Sequence, residues 1–171
     1  MSPVTDVPGD SSVLASAAVV RVTGALRASG IDSPIVELPG AARTAKLAAE
    51  FLGCDVGQIA NSLVFRGGAV DTPILVMSSG ARRVDTGKLA AIAGEAIGKA
   101  DADFVRAATG FAIGGVAPVG HTGTLRAFVE RSLAAYDAVW AAAGHPNTVF
   151  RLSYRDLVRI TGATEIDAAQ D

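Results

Sequence analysis

The chain has almost no cysteine. Cys54 is the single thiol in 171 residues, which excludes an internal disulfide framework and any CxxC metal site. Histidine is nearly as scarce. His121 and His145 stand far apart, no HExxH pattern occurs, and neither a metal nor another cofactor is expected. An excess of positive charge is missing too: 15 Lys and Arg against 17 Asp and Glu leave a formal charge of −2. That excludes a broad basic coat, so any nucleic-acid contact must be local and confined to an end of the substrate. Long apolar runs are absent. "VLASAAVV" is far too short to span a bilayer, and no basic n-region precedes it. The expected compartment is the cytoplasm, with no membrane partner.

What is present is apolar and compactly patterned. Half of the residues are hydrophobic and only 19% are charged, enough for one domain with a real core and too little charge for disorder. Residues 1–12, beginning "MSPVTDVPGD", read as a loose tail, and 13–171 as the domain. Ser11 or Ser12 is the expected cap of a first helix facing inward with Leu14, Ala18, Val22, Ala25 and Leu26. "PIVEL" reads as a short strand. Thr44 is positioned to cap a second helix, with Leu47, Ala48, Phe51 and Leu52 inward and Gly53 as its stop. "NSLVF" and "PILVMS", joined by the turn-rich "RGGAVDT", predict a hairpin. Asp85 or Thr86 precedes another helix, and "DADFVRAAT" a further one ending at Gly110. "TLRAFVE" alternates like a strand. "AVWAA" and "NTVFRL" form a second strand pair turned at "GHP", and "SYRDLVRITG" is a closing helix with Ser153 and Asp156 at capping-box spacing. The sum is a mixed α/β (α+β) domain whose strands need not run parallel.

One stretch departs from this economy. "TGFAIGGVAPVGH", Thr109 to His121, holds four glycines and a proline. A P-loop would need Lys-Ser/Thr after the glycines, and a dinucleotide fingerprint would need GxGxxG between strand and helix. Neither is present. Two readings stay open: a corner between helix and strand, or a loop whose peptide N–H groups face a carbonyl or developing oxyanion. Elsewhere no GxSxG elbow surrounds Ser62, Ser78 or Ser79, and nothing near Cys54 would activate it. Cys54 reads as a small buried hydrophobe, His121 as a loop residue. Trp140 and Phe150 belong either to the core or to the border of a pocket.

Taken together, "RTAKLAAEFLGCDVGQIANSLVF", "VMSSGARRVDTGKLA", "GFAIGGVAPVGH" and "AGHPNTVFRLSYRDLVRITGA" resemble, in this order, segments of the YbaK/ProX family of aminoacyl-tRNA deacylases. That family is related to the editing domain of bacterial prolyl-tRNA synthetases, and the resemblance covers about residues 18–168. It implies a mixed sheet curled toward a barrel with helices around it. It also implies hydrolysis of the ester that joins a wrong amino acid to the tRNA 3′ end, with a synthetase as a further partner. The Gly-x-x-x-Pro loop is Gly114 to Pro118, so the resemblance assigns the amides of Gly114, Gly115 and Val116 to the ester carbonyl. Asn61 stands where many relatives have lysine, and is expected to orient substrate rather than attract it; Lys46, Arg82 and Arg83 are the cations in the matching segments. Thr44, Ser79, Gly80, Asp85, Pro118 and His145 complete the expected substrate contacts. The rival expectations are a non-catalytic module of the same fold, binding a tRNA 3′ end, an aminoacyl-nucleotide-like ligand or a synthetase, and a hydrolase of small aminoacyl esters or thioesters.

Overall fold

Most helix boundaries follow from a capping side chain at the start and a glycine at the end. The computed structural model describes residues 13–171. Helix α1 (Ala17–Ala28) begins at Ser16, whose hydroxyl accepts from the Val19 N–H. Ser11 and Ser12, the expected caps, and the expected tail lie outside the described residues. Leu14 precedes the cap and is 40% exposed, whereas Val22 and Leu26 are buried as expected. Helices α2 (Ala45–Leu52), α3 (Thr86–Ala93), α4 (Ala102–Thr109) and α5 (Tyr154–Thr161) are capped by Thr44, Asp85, Asp101 and Ser153. Each closes on a left-handed glycine, the backbone state a β-carbon disfavours. At α5 only half of the capping box forms: the Asp156 N–H donates to Ser153 Oγ.

The strands are β1 (Val36–Glu37), β2 (Ile59–Gly67), β3 (Thr72–Ser79), β4 (Ile97–Lys99), β5 (Arg126–Glu130), β6 (Val139–Ala142), β7 (Thr148–Leu152) and β8 (Thr164–Ile166). They make one mixed sheet in the order β1-β7-β6-β2-β3-β5-β8, with β4 attached to β2. The β2·β3 and β6·β7 hairpins are antiparallel as expected, while β2·β6, β3·β5 and β5·β8 are parallel. The sheet does not close; the expected curl toward a barrel stops at an open, mixed sheet. Strands β4 and β8 carried no signal in the sequence, being three residues each and partly polar.

Both faces of the sheet are covered, which explains why "PILVMS" is apolar without alternation. Leu75 and Met77 turn to the larger core with Val22 and Leu26 of α1, Val105 of α4, Leu157 of α5, and Phe111 and Phe150. Ile74 and Val76 turn the other way, against Leu89 and Ala93 of α3. Helix α2 covers Ile59 through Ala48 and Ala49, with Leu52 partly buried. Phe51, expected inward, is 38% exposed, because two alanines bring α2 close enough to the sheet to leave a phenylalanine no room beneath it.

That close approach is sharpest at Gly80. A β-carbon there would lie 2.6 Å from Ala45 Cβ and 2.6 Å from the Val56 carbonyl oxygen. Gly80→Ala is therefore expected to cost about 1–3 kcal/mol through overpacking. Thermal melting should register it as a drop of about 2–4 °C per kcal/mol for a domain of this size.

Candidate active site

Strand β2 has a continuous neighbour on one side only. Along β3 it is paired from Ala60 to Gly67. On the outer edge, β6 pairs with Ile59 and Ala60, and β4 with Phe65, Arg66 and Gly67. Between these two the edge is unpaired from Asn61 to Val64. The Gly80 N–H donates to the Ile59 carbonyl at 2.8 Å, which sets the phase: odd-numbered residues exchange bonds with β3, even-numbered ones turn theirs outward. Pro73, which has no N–H, sits opposite even-numbered Arg66, where none is needed.

A cavity of about 320 Å³ opens at this interruption. Thr44, Ala45 and Ala48 of the α2 start form one wall, Asn61 and its neighbours on β2 the floor, Gly114 and Val116 the opposite wall. Trp140, Pro146 and Thr148 close the β6–β7 side. Thr44 thus serves twice, because its hydroxyl also accepts the Leu47 N–H at 3.1 Å. Asn61 is half-buried, and among the described residues its amide makes no hydrogen bond. Opposite it in register is Ser78, 1% exposed and with no partner for its hydroxyl.

The glycine loop folds as its composition requires. The Gly115 N–H donates to the Ala112 carbonyl at 2.9 Å, closing a turn in which Gly114 takes φ +93°, the state demanded at the third position of a type II turn. This bond corrects the expectation for Gly115: its amide is already engaged and it does not line the cavity. What Gly115 supplies is proximity, since a β-carbon there would sit 3.0 Å from the backbone of His145. Among the described residues the Gly114 and Val116 amides donate to no protein acceptor.

Arg21 of α1 ties the loop down at both ends. Its Nε donates to the Gly120 carbonyl at 3.1 Å and its Nη2 to the Gly110 carbonyl at 2.9 Å. The guanidinium lies 4.9 Å from the Phe111 ring centre. His121 meets Phe111 edge-on at 5.9 Å and has Nε2 2.7 Å from the Ala117 carbonyl. A carbonyl only accepts, so Nε2 carries the proton. Burial drives the His121 pKa below its ordinary value; the carbonyl contact opposes this and the charge of Arg21 adds to it. His121 is a loop residue, as expected, while sequence reasoning missed Arg21, because nothing local in the sequence links position 21 to the loop.

The other expected contacts disperse. Ser79 is buried, its hydroxyl donating to the Gly57 carbonyl and accepting from the Ala81 N–H. Gly80 lies behind Ala45 and does not face the cavity. Asp85 holds the Gly87 and Lys88 amides of α3 and takes no part in the lining. Pro118 is buried in the loop. His145 uses Nδ1 to accept the Asn147 N–H at 3.1 Å, so its neighbour Pro146 lines the cavity instead. Trp140 is a pocket residue, and Phe150 a fully buried core residue. Arg43 at the rim is a cation that sequence reasoning passed over in favour of Lys46, Arg82 and Arg83. Burial and neighbouring Asp55 raise the Cys54 pKa, which keeps it a thiol. Among the described residues, no three His, Cys, Asp or Glu side chains gather as a metal site. No described helix is long and apolar enough to cross a membrane.

The family model described as an aminoacyl-tRNA editing domain matches residues 40–160. A solved structure described as "a putative trans-editing enzyme for prolyl tRNA synthetase" superposes with a TM-score of 0.85 at 43% identity, covering 91% of this chain and 99% of that one. The solved structure of hypothetical protein APE2540 superposes with a TM-score of 0.81 at 27% identity, covering 88% and 99%. YwhH of Bacillus subtilis (strain 168), called uncharacterized, is 29% identical over 126 residues, 74% of this chain and 80% of its own length.

The buried imidazole generates a pH signature. The unfolded chain protonates His121 near pH 6.5 and the folded chain only at lower pH. The unfolded state therefore binds the extra proton as pH falls below about 6.5, and stability drops with it. Denaturant titrations should show a shallower loss of stability below that pH for His121→Gln than for the parent chain.

Proposed function

The chain belongs to the aminoacyl-tRNA editing domain family, and on that premise we propose that it is a YbaK/ProX-type deacylase acting in trans in the cytoplasm. It clears a wrongly attached amino acid from the 3′ end of tRNA, alongside a synthetase. Such a second site is needed because a synthetase pocket separates side chains differing by one methylene only about 10–200-fold. The observation that carries the reading is the cavity at the interrupted β2 edge, with the unengaged Gly114 and Val116 amides on one wall and Asn61 on the floor.

In this reading the aminoacyl ester enters between the α2 start and the glycine loop. The Gly114 and Val116 N–H groups donate to the carbonyl oxygen as it gains negative charge. A donor of this kind is worth about 2.7–4 kcal/mol where it has been removed from oxyanion holes. Water attacks the carbonyl carbon, the bond to the ribose oxygen breaks, and that oxygen takes up a proton. The adjacent ribose hydroxyl of the substrate assists by positioning the water, so no protein nucleophile is required. Asn61 offers one donor group and one acceptor to orient the ester or the ribose. Thr44 and Trp140 border the entrance, and Arg43 brings positive charge to the rim near the phosphates.

Incubation with a panel of mischarged tRNAs, prolyl, alanyl and cysteinyl among them, should accelerate ester hydrolysis for at least one. No acceleration on any overturns the reading. Val116→Pro, which deletes one donor, is expected to lower kcat about 10²–10³-fold, with folding checked by circular dichroism. The uncharged Asn61, in place of the lysine common among relatives, favours a second reading, a binding module that has kept the fold. If hydrolysis appears only in Asn61→Lys, the binding module is correct; if the parent chain already hydrolyses, it is wrong.

A further inference from the structure

Four side-chain polar atoms are buried without a partner among the described residues: Glu37 Oε1, Arg66 Nε, Ser78 Oγ and Ser132 Oγ. A group of this kind is costly until something completes it. Glu37 stands opposite Thr148 on β7, whose hydroxyl already donates to the His145 carbonyl at 3.0 Å. Of the four, Ser78 alone stands opposite a cavity residue with a free polar end, Asn61. Ser78 is 1% exposed and lies behind Asn61, outside the lining itself. The two form a directly bonded cross-strand pair, so their side chains leave the same face of the sheet about 5 Å apart.

The other positions within reach on that face offer the Ser78 hydroxyl nothing. Ile59, Leu63 and Val76 are apolar, and Gly80 has no side chain. On the β5 side Glu130 follows the last paired residue, Val129. Its two carboxylate oxygens are held by the Ser132 and Ala168 N–H groups at 3.0 and 2.6 Å. What remains is the Asn61 carboxamide, whose terminal torsion is broad and turns at small cost. A hydroxyl has one proton to donate, and of the two ends of an amide only the oxygen accepts. We propose that Ser78 is a positioning residue: its hydroxyl donates to Asn61 Oδ1 and leaves the Asn61 NH2 group facing the cavity. With the NH2 end turned to Ser78 instead, the hydroxyl proton would stay unspent. The cavity then presents donors from two sides, Asn61 on the floor and the Gly114 and Val116 amides on the wall, with no carboxylate in its lining. That polarity suits the oxygen-rich junction of an ester and a ribose. What the pair does for hydrolysis rests on the deacylase reading; the pair itself does not.

The side-chain ¹³Cγ resonance of Asn61 reports the pair in the free protein. Ser78→Ala, a near-isosteric change, is expected to move that signal upfield as the accepted bond is lost, with the circular dichroism spectrum unchanged. On a mischarged tRNA that the parent chain hydrolyses, Ser78→Ala should lower kcat/KM about 2- to 10-fold, the worth of one neutral hydrogen bond. In the Asn61→Ala background the same change should cost nothing further, because the two residues act as a unit. An unmoved Asn61 signal in Ser78→Ala, or an equal loss of hydrolysis in both backgrounds, would overturn the inference. The two readings fail separately. Hydrolysis with an unmoved signal overturns the pair alone, whereas a shifted signal with no hydrolysis of any mischarged tRNA overturns the deacylase reading alone.

Discussion

Between Ala60 and Phe65 the outer edge of β2 goes without a neighbouring strand, and the candidate site is arranged around that interruption. A backbone edge normally seeks partners, since an unmet buried donor or acceptor costs about 1–3 kcal/mol. Here β6 and β4 each take one end of the strand and part before they meet. The sheet tolerates the gap because the other edge of β2 is fully zipped to β3 and both faces are covered by helices. A hollow lined by peptide groups is the result, and the glycine loop stands across from it.

The loop and the gap are held in register by long-range ties. Arg21, 99 residues from Gly120, reaches its carbonyl from α1 and grips Gly110 as well. Gly115 leans on the His145 backbone from the opposite side. The loop is thus pinned at its two ends and braced at its centre, so the Gly114 and Val116 amides are fixed before any ligand arrives. Preorganised donors of that kind stabilise developing charge without having to reorient.

Local chemistry was the legible part of the sequence. Thr44, Asp85 and Ser153 cap where their side chains say they should, and Gly53, Gly110 and Gly162 stop helices. The β2–β3 and β6–β7 hairpins follow from their turns. The glycine cluster announced a special loop, and the ordered motifs announced the family. What stayed hidden depends on distant pairing. Whether an amide is free cannot be read from its residue type, so Gly114, Gly115 and Val116 looked alike until the Ala112 carbonyl claimed one of them. The unpaired edge at Ser62 and Val64 arises from where β4 and β6 end, and β4 has no periodic signal of its own. Asp85, Ser79 and Gly80 were drawn to the site by adjacency to the family's motifs, yet their polar groups and packing serve α3 and the contact with α2.

The contact between Gly115 and the backbone of His145 has a bearing on how such a site diversifies. Where two main chains meet with no side chain between them, the spacing of the jaws is a property of the fold. Exchanges at Ile113, Arg43 or Trp140, which surround the mouth, can then reshape the opening while the spacing of the two main chains is inherited unchanged. A lineage built on this scaffold can vary its mouth one rim residue at a time, with the frame that separates the two main chains left as it was.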